Sequence, residues 1–280
     1  MFTTLIVILV VFAIFKFAPR PKLDATPRTT QVPNIALSQL PNWLESQEGR
    51  VSRLIDGNAA HIEWANPDNP QQTELSFLYL HGFSATWQET APLTSRLAAE
   101  RGANVVHGRL AGHGEGSDGM LTPAEHWLQS VTDHFDIATR VGKKVVVVAT
   151  STGCTLTTYL VNQPALRDKI HACIFLSPNF RVRSPFGFLL TWPFSSKWVH
   201  LILGREHKWE PISEQQAQAW THQYSTLALI EMQKTVDFAA RLDYGSFSTP
   251  LAVMYMQNDT TIYPLRRLMC LTAGVPEAKP

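Results

Sequence analysis

The apolar positions of the chain fall into short dense runs separated by stretches with helical spacing. Leu75-Ser76-Phe77-Leu78-Tyr79-Leu80 is nearly continuous, the pattern of a strand buried on both faces of a sheet. Lys144-Val145-Val146-Val147-Val148-Ala149 is β-branched through its centre and is the strongest strand signal in the chain. Residues 103–108, 170–176 and 250–256 read as three further strands, each ended by turn-forming residues. Residues 88–101, 123–141 and 155–162 read as helices, the first marked by Leu93, Leu97 and Ala98. Residues 37–46 suggest a short leading helix, and residues 50–65 have mixed strand character. This alternation predicts βαβ units: an α/β fold with a mostly parallel central sheet and helices on both faces. Ligands of such sheets bind beyond the carboxyl ends of the strands. Candidate chemistry is therefore sought where strands end.

The N-terminus carries a different pattern. Residues 2–15 are apolar apart from Thr3 and Thr4, Lys16 interrupts, and Phe17 and Ala18 extend the run. As a helix, residues 2–18 would reach about 25 Å, a little short of a hydrocarbon core of about 30 Å. Lys16 near the end can snorkel to the interface. No basic residue precedes the run and no small-x-small site follows it, which disfavours a cleaved signal peptide. An all-round apolar segment at a terminus is also unusual for a buried core helix. The preferred reading is a single-pass membrane anchor over residues 1–18. Lys16, Arg20, Lys22 and Arg28 on its C-terminal side would place the following domain on the cytoplasmic side. Pro19, Pro21, Pro27 and Pro33 then mark residues 19–35 as a Pro-rich linker, an extended tether outside the core. The main domain is expected over residues 36–280, with an insertion at 178–248.

Composition narrows the function classes. The net charge is +1 across 280 residues and the basic residues form no long run, which argues against a nucleic-acid partner. Cys154, Cys173 and Cys270 are odd in number and lack a CxxC pattern, which argues against a disulfide framework or a zinc site. No cofactor or metal is expected.

Ser151 is the leading candidate for chemistry. It lies in Ala149-Thr150-Ser151-Thr152-Gly153, after the valine strand and before a helix. This is the setting of a nucleophile elbow, whose sharp turn requires small residues two before and two after the serine. Ala149 stands where glycine is common; Gly153 fits the pattern. Such a turn projects Oγ at a helix N-terminus, where the dipole favours developing negative charge. The competing reading is a serine that merely caps the helix.

Three segments together resemble the α/β-hydrolase superfamily: the run Tyr79-Leu80-His81-Gly82-Phe83-Ser84-Ala85-Thr86-Trp87-Gln88-Glu89, the loop Leu110-Ala111-Gly112-His113-Gly114, and the Ser151 turn. Within it the resemblance is to bacterial esterases of the monoacylglycerol lipase and serine-aminopeptidase-like group, over residues 75–265. It implies a serine hydrolase of carboxylic esters, carboxylesterase- or lipase-like, acting through an acyl-enzyme at Ser151 on an acylglycerol or other apolar acyl ester. It implies that the backbone N–H groups of Phe83 and Thr152 hold the oxyanion. His81 and His113 then shape loops, and the general base comes from the far end of the chain. Asp259, after the last strand, takes the place of the carboxylate that orients a histidine; an ordinary turn aspartate is the competing reading. Asp237 and Asp243 are weaker candidates, because neither ends a strand. The resemblance further implies a helical cap over the site at 178–248, whose Phe and Trp residues suit an apolar ester or simply pack the cap.

The sequence departs from this pattern in one respect. Its ten histidines stand at 61, 81, 107, 113, 126, 134, 171, 200, 207 and 222, so none follows Asp259. Residues 265–273 read as one more helix, and the family's last strand and closing helix are lacking. The expectation is a shortened chain without its activating histidine, in which serine is a poor nucleophile. His200, His207 and His222 lie in the insertion and are able in principle to reach the pocket. The alternatives are a non-catalytic α/β-hydrolase fold kept for binding, or another serine-hydrolase chemistry such as a peptidase or thioesterase.

Overall fold

The structure is a computed structural model that describes residues 13, 16–256, 258, 259, 261 and 262. In chain order the body begins with α1 (Leu40–Glu48), β1 (His61–Glu63), β2 (Thr73–Leu80), α2 (Leu93–Ala99), β3 (Asn104–His107), α3 (Ala124–Val141) and β4 (Gly142–Thr150). It continues with α4 (Thr152–Val161), the single turn α5 (Pro164–Arg167) and β5 (Ile170–Leu176). Then come α6 (Ser195–Leu203), β6 (Glu206–Lys208), α7 (Glu214–Ala219), β7 (Gln223–Ser225), α8 (Ala228–Ala239) and β8 (Leu251–Met254). Six strands form one sheet in the order β1-β3-β2-β4-β5-β8. All neighbours are parallel except β1, which runs antiparallel to β3.

Period-two alternation explains why the central strands are apolar throughout. Leu78, Leu80, Val145, Val147 and Ala149 face one side, against Trp127, Leu128, Val131 and Phe135 of α3 and Leu156 and Leu160 of α4. Phe77, Tyr79, Val146 and Val148 face the other, against Leu97 and Ala98 of α2. The expected helix over 88–101 is interrupted. Trp87–Thr90 forms a 3-10 turn, Ala91 is extended with ψ 136°, and α2 starts only at Leu93. Pro92 causes this, since a residue before proline is driven out of the helical region.

The Pro-rich segment 19–35 is extended, as its prolines require, but it is not a free tether. Leu23 and Val32 are buried in the main core. The Arg28 amide donates to the Tyr159 hydroxyl at 2.9 Å and the Gln31 amide to Asp133 at 2.7 Å. Arg140 donates to the carbonyls of Pro33 and Val32. The segment therefore crosses α3 and α4 as a strap. The membrane-anchored localisation expected from residues 1–18 is corrected: among the described residues, no helix is long and apolar enough to cross a membrane. The expected span was already short for a bilayer, with Lys16 near its end and Pro19 just beyond it. Residues 1–12, 14 and 15 of that segment lie outside the described residues, as do the helix expected at 265–273 and Cys270.

Between β5 and β8 the chain leaves the sheet. This excursion is not wholly helical: β6 and β7 pair antiparallel, Glu206 opposite Ser225. Helix α8 returns to the body, where Thr155 and Thr235 hydroxyls meet at 3.2 Å across α4 and α8. Among the described residues β8 is the outer strand on its side of the sheet.

A buried ion cluster ties α1 to the loops above the sheet. Arg109, 7% exposed, donates through Nε and Nη2 to Glu48 at 2.5 and 3.0 Å, and through Nη1 to Glu115 at 2.6 Å. Removing the cation leaves two carboxylates unpaired in a low-dielectric setting. Arg109→Ala is expected to lower stability by about 3–5 kcal/mol in urea unfolding. A loss below about 1 kcal/mol, the level of an exposed pair, would contradict the burial argument.

Candidate active site

The sheet order reverses direction between β2 and β4, because the chain goes from β2 to β3 on one side and then crosses to β4 on the other. Leu80 pairs with Ala149, so the loops leaving these two strands start side by side. Ser151 stands in the turn after β4 with φ 49° and ψ −110°. A non-glycine residue in this region costs about 1–3 kcal/mol and persists only when its surroundings hold it. Its amide donates to the Leu176 carbonyl at 2.9 Å, and its carbonyl accepts from the amides of Cys154 at 3.1 Å and Asn179 at 3.2 Å. Its side chain makes no capping bond, so the helix-cap reading of Ser151 does not hold. Thr152 opens α4 immediately, three residues before the helix start read from the sequence. Gly153 is required by contact: a Cβ there would lie 2.1 Å from the Leu80 carbonyl oxygen.

The loop after β2 runs opposite this turn. The Gly82 carbonyl accepts from His81 Nδ1 at 2.8 Å and from the Ala85 amide at 3.3 Å. In a planar trans peptide the following N–H, that of Phe83, points the opposite way. His81 Nε2 accepts from the Leu110 amide at 3.0 Å, which fixes the ring as the neutral Nδ1–H tautomer. His81 is thus a loop support, and burial holds its pKa well below the imidazole value. His113 packs under the same loop, its ring tilted to His81 at 5.1 Å and edge-on to Trp127 at 5.2 Å between centroids. Burial lowers it to about 4. From above, the Thr221 amide donates to the Ser84 carbonyl at 2.7 Å, and Tyr224 packs edge-on against Phe83 at 5.3 Å. The inserted segment is therefore latched onto the loop.

A cavity of about 730 Å³ opens between the sheet end and the insertion. Ser151 and Phe83 form its floor side, and Leu190, Trp198, Leu203 and Tyr224 give it a largely apolar wall. Of the three histidines in the insertion, His207 lines it. Asp259 is not brought to its wall. It follows β8, and its Oδ1 accepts from the amides of Thr261 at 2.8 Å and Ile262 at 3.0 Å. Its main-chain carbonyl accepts from Arg183. Asp237 and Asp243 serve locally: Asp237 accepts from Thr191 at 2.6 Å and Asp243 from the Gly245 amide at 3.0 Å. Among the described residues no His, Cys, Asp and Glu cluster could hold a metal ion.

Glu89, which no sequence pattern marks, also belongs to the site. Its carboxyl is enclosed, with Oε1 accepting from the Gly82 amide at 2.6 Å and the Tyr79 hydroxyl at 2.7 Å. Burial raises its pKa to about 7. No periodic signal marks such a residue, because only the turn at 82–90 folds it back toward the strand ends.

A doubly flanked parallel sheet with a strained serine turn at its switch point defines an α/β-hydrolase fold. The profile of the alpha/beta hydrolase family matches residues 77–278, so the chain belongs to that family. A solved structure for the metagenome-derived lipolytic enzymes LipS and LipT has a TM-score of 0.59 at 16% identity, covering 79% of this chain and 84% of its own. DcsB, solved with a substrate analogue, has a TM-score of 0.51 at 12% identity, covering 76% and 81%. The monoacylglycerol lipase of Paleococcus ferrophilus has a TM-score of 0.49 at 14% identity, covering 70% and 76%. At these identities the likeness is one of fold alone. No curated protein matches the sequence.

Two outcomes follow from this geometry. Gly153→Ala drives a methyl group into the β2 carbonyl and is expected to cost about 3 kcal/mol or more in thermal or urea unfolding; a variant as stable as the wild type would contradict the contact. His81, His107, His113 and His134 are all held below the usual imidazole value by burial. A histidine with depressed folded-state pKa adds stability that is present above its unfolded value of 6.5 and lost as pH falls through the folded value, about 4 for His107 and His113. Glu89, raised from 4.5 to about 7, acts in the opposite sense over its own window, but one group stands against four. The unfolding temperature is expected to fall from pH 7 to pH 4.5. A flat profile would mean that these rings are not buried neutral.

Proposed function

We propose that the protein is a serine hydrolase of carboxylic esters with an apolar acyl part, working through an acyl-enzyme at Ser151. The observation that carries this reading is the strained Ser151 turn facing the Phe83 loop at the floor of a largely apolar cavity. Ser151 Oγ attacks the ester carbonyl, the acyl carbon–oxygen bond to the alcohol breaks, and the serine proton leaves on the alkoxide, so that the alcohol departs as the acyl-enzyme forms. Water then releases the acid. The amide of Phe83, directed by the bonds on the Gly82 carbonyl, and that of Thr152, at the first position of α4, are the proposed oxyanion donors. Thr152 N–H has no partner within its own helix, as for any first-turn amide. Each such donor is worth about 3 kcal/mol in comparable acyl transfers. Asp259, beyond the end of β8, is proposed as the carboxylate that would orient a catalytic histidine. The apolar wall of Leu190, Trp198 and Leu203 favours an aliphatic or aromatic acyl chain, such as that of an acylglycerol.

A second reading, a non-catalytic binding protein on the same fold, is favoured by one observation: Asp259 does not line the cavity, and its Oδ1 is engaged by the amides of Thr261 and Ile262. Labelling of the protein with a fluorophosphonate and hydrolysis of p-nitrophenyl butyrate separate the two. The hydrolase reading expects labelling and turnover that Ser151→Ala abolishes. Equal rates for wild type and Ser151→Ala would leave the binding reading standing.

A further inference from the structure

We infer that Glu89 is a positioning residue for the oxyanion loop, setting the conformation of Gly82 and so the direction of the Phe83 amide. The inference rests on the hydrolase reading above. Glycine has the widest conformational freedom of any residue, and a glycine immediately before an oxyanion donor would let that donor wander. Here both peptide groups around Gly82 are pinned. The carbonyl side is held by His81 Nδ1 and the Ala85 amide. The amide side is held by Glu89 Oε1 at 2.6 Å. Without Glu89, Gly82 keeps only half of its restraint.

The same carboxylate reaches the nucleophile's side of the site. Tyr79, near the end of β2, donates to Glu89 Oε1 at 2.7 Å, and its hydroxyl lies 3.0 Å from Thr150 Oγ1, one residue before Ser151. A Cβ built on Gly82 would lie 3.2 Å from Glu89 Oε2 and 3.3 Å from Ser151 Cβ, so Gly82 fills the narrow space between them. One oxygen thus joins the ends of β2 and β4 to the loop that spans them. Two donors converging on Oε1 use both of its lone pairs, so any proton on Glu89 sits on Oε2. Glu89 is not among the residues lining the cavity and is not itself a catalytic residue.

The test compares wild type, Ser151→Ala, Glu89→Gln and Glu89→Ala for kcat and KM on p-nitrophenyl butyrate, with unfolding temperature measured in parallel. A misdirected oxyanion donor acts on the transition state and not on ground-state binding. Glu89→Ala is therefore expected to lower kcat about 10- to 100-fold while KM changes less than about two-fold. Glu89→Gln keeps an acceptor oxygen for the Gly82 amide and is expected to recover part of the loss in kcat. If the alanine variant does not fold, the glutamine variant carries the test, with kcat reduced and KM kept. Wild-type kcat in the folded variants, or a change confined to KM, overturns the inference alone. A wild-type rate no higher than that of Ser151→Ala overturns the hydrolase reading, and this inference with it.

Discussion

A serine cannot rest at a φ near +49° without neighbours that forbid its relaxation, and the architecture around Ser151 supplies them from the ends of two strands, from α4 and from the turn after β5. The amide is taken by the end of β5, and the carbonyl is shared between α4 and the residue after the β5 turn. Gly153 lies so close to the end of β2 that no side chain fits between them. The strain is therefore held in place by the parallel sheet itself. The apolar runs of β2, β4 and β5 do more than build a core, since their registers bring the strand ends together at one level. Were the sheet to slip by one residue, every inward side chain would turn outward and the turn would lose its anchors.

The loop facing Ser151 is set by a second group of contacts, most of them polar and buried. His81 and His113 lie beneath it, Glu89 and Tyr79 beside it, and the Ser84 carbonyl is bonded to the insertion above it. Tyr79 also belongs to the apolar core, while the polar contacts of the group orient the loop. Burial perturbs the proton affinities of several of them, and their hydrogen bonds decide where each is placed. The apolar cavity and the polar loop beneath it are thus built by different parts of the chain, the insertion and the strand ends respectively.

Much of this was legible in the sequence, for reasons that particular residues make plain. The strands at 75–80 and 144–149 declare themselves locally, because burial on both sheet faces leaves little polar alternation, and 170–176 does so by its apolar run. The Ser151 turn is local too, since Gly153 and the valine run are adjacent in the chain. The membrane anchor read from residues 1–18 did not stand. What could not be read depends on contacts distant in sequence. Pro92 was visible, yet the break it makes at Ala91 was hidden by the helical spacing of Leu93 and Leu97. The pairing of β6 with β7 involves three residues each, too few for a pattern. Glu89 looks like any surface glutamate until the turn at 87–90 folds it inward. The prolines of residues 19–35 announced an extended chain correctly, but not where it lies, because its docking bonds are largely made by backbone amides and carbonyls that no side-chain pattern reports.

That strap alters where the folding unit begins. Leu23 and Val32 belong to the same core as α3 and α4, and the Tyr159 hydroxyl and Asp133 carboxylate find their partners on strap amides. The packed body thus includes chain well before α1. Its outermost layer is a stretch of chain with no regular secondary structure, wrapped around the helices like a belt whose far end is tied into the hydrophobic interior.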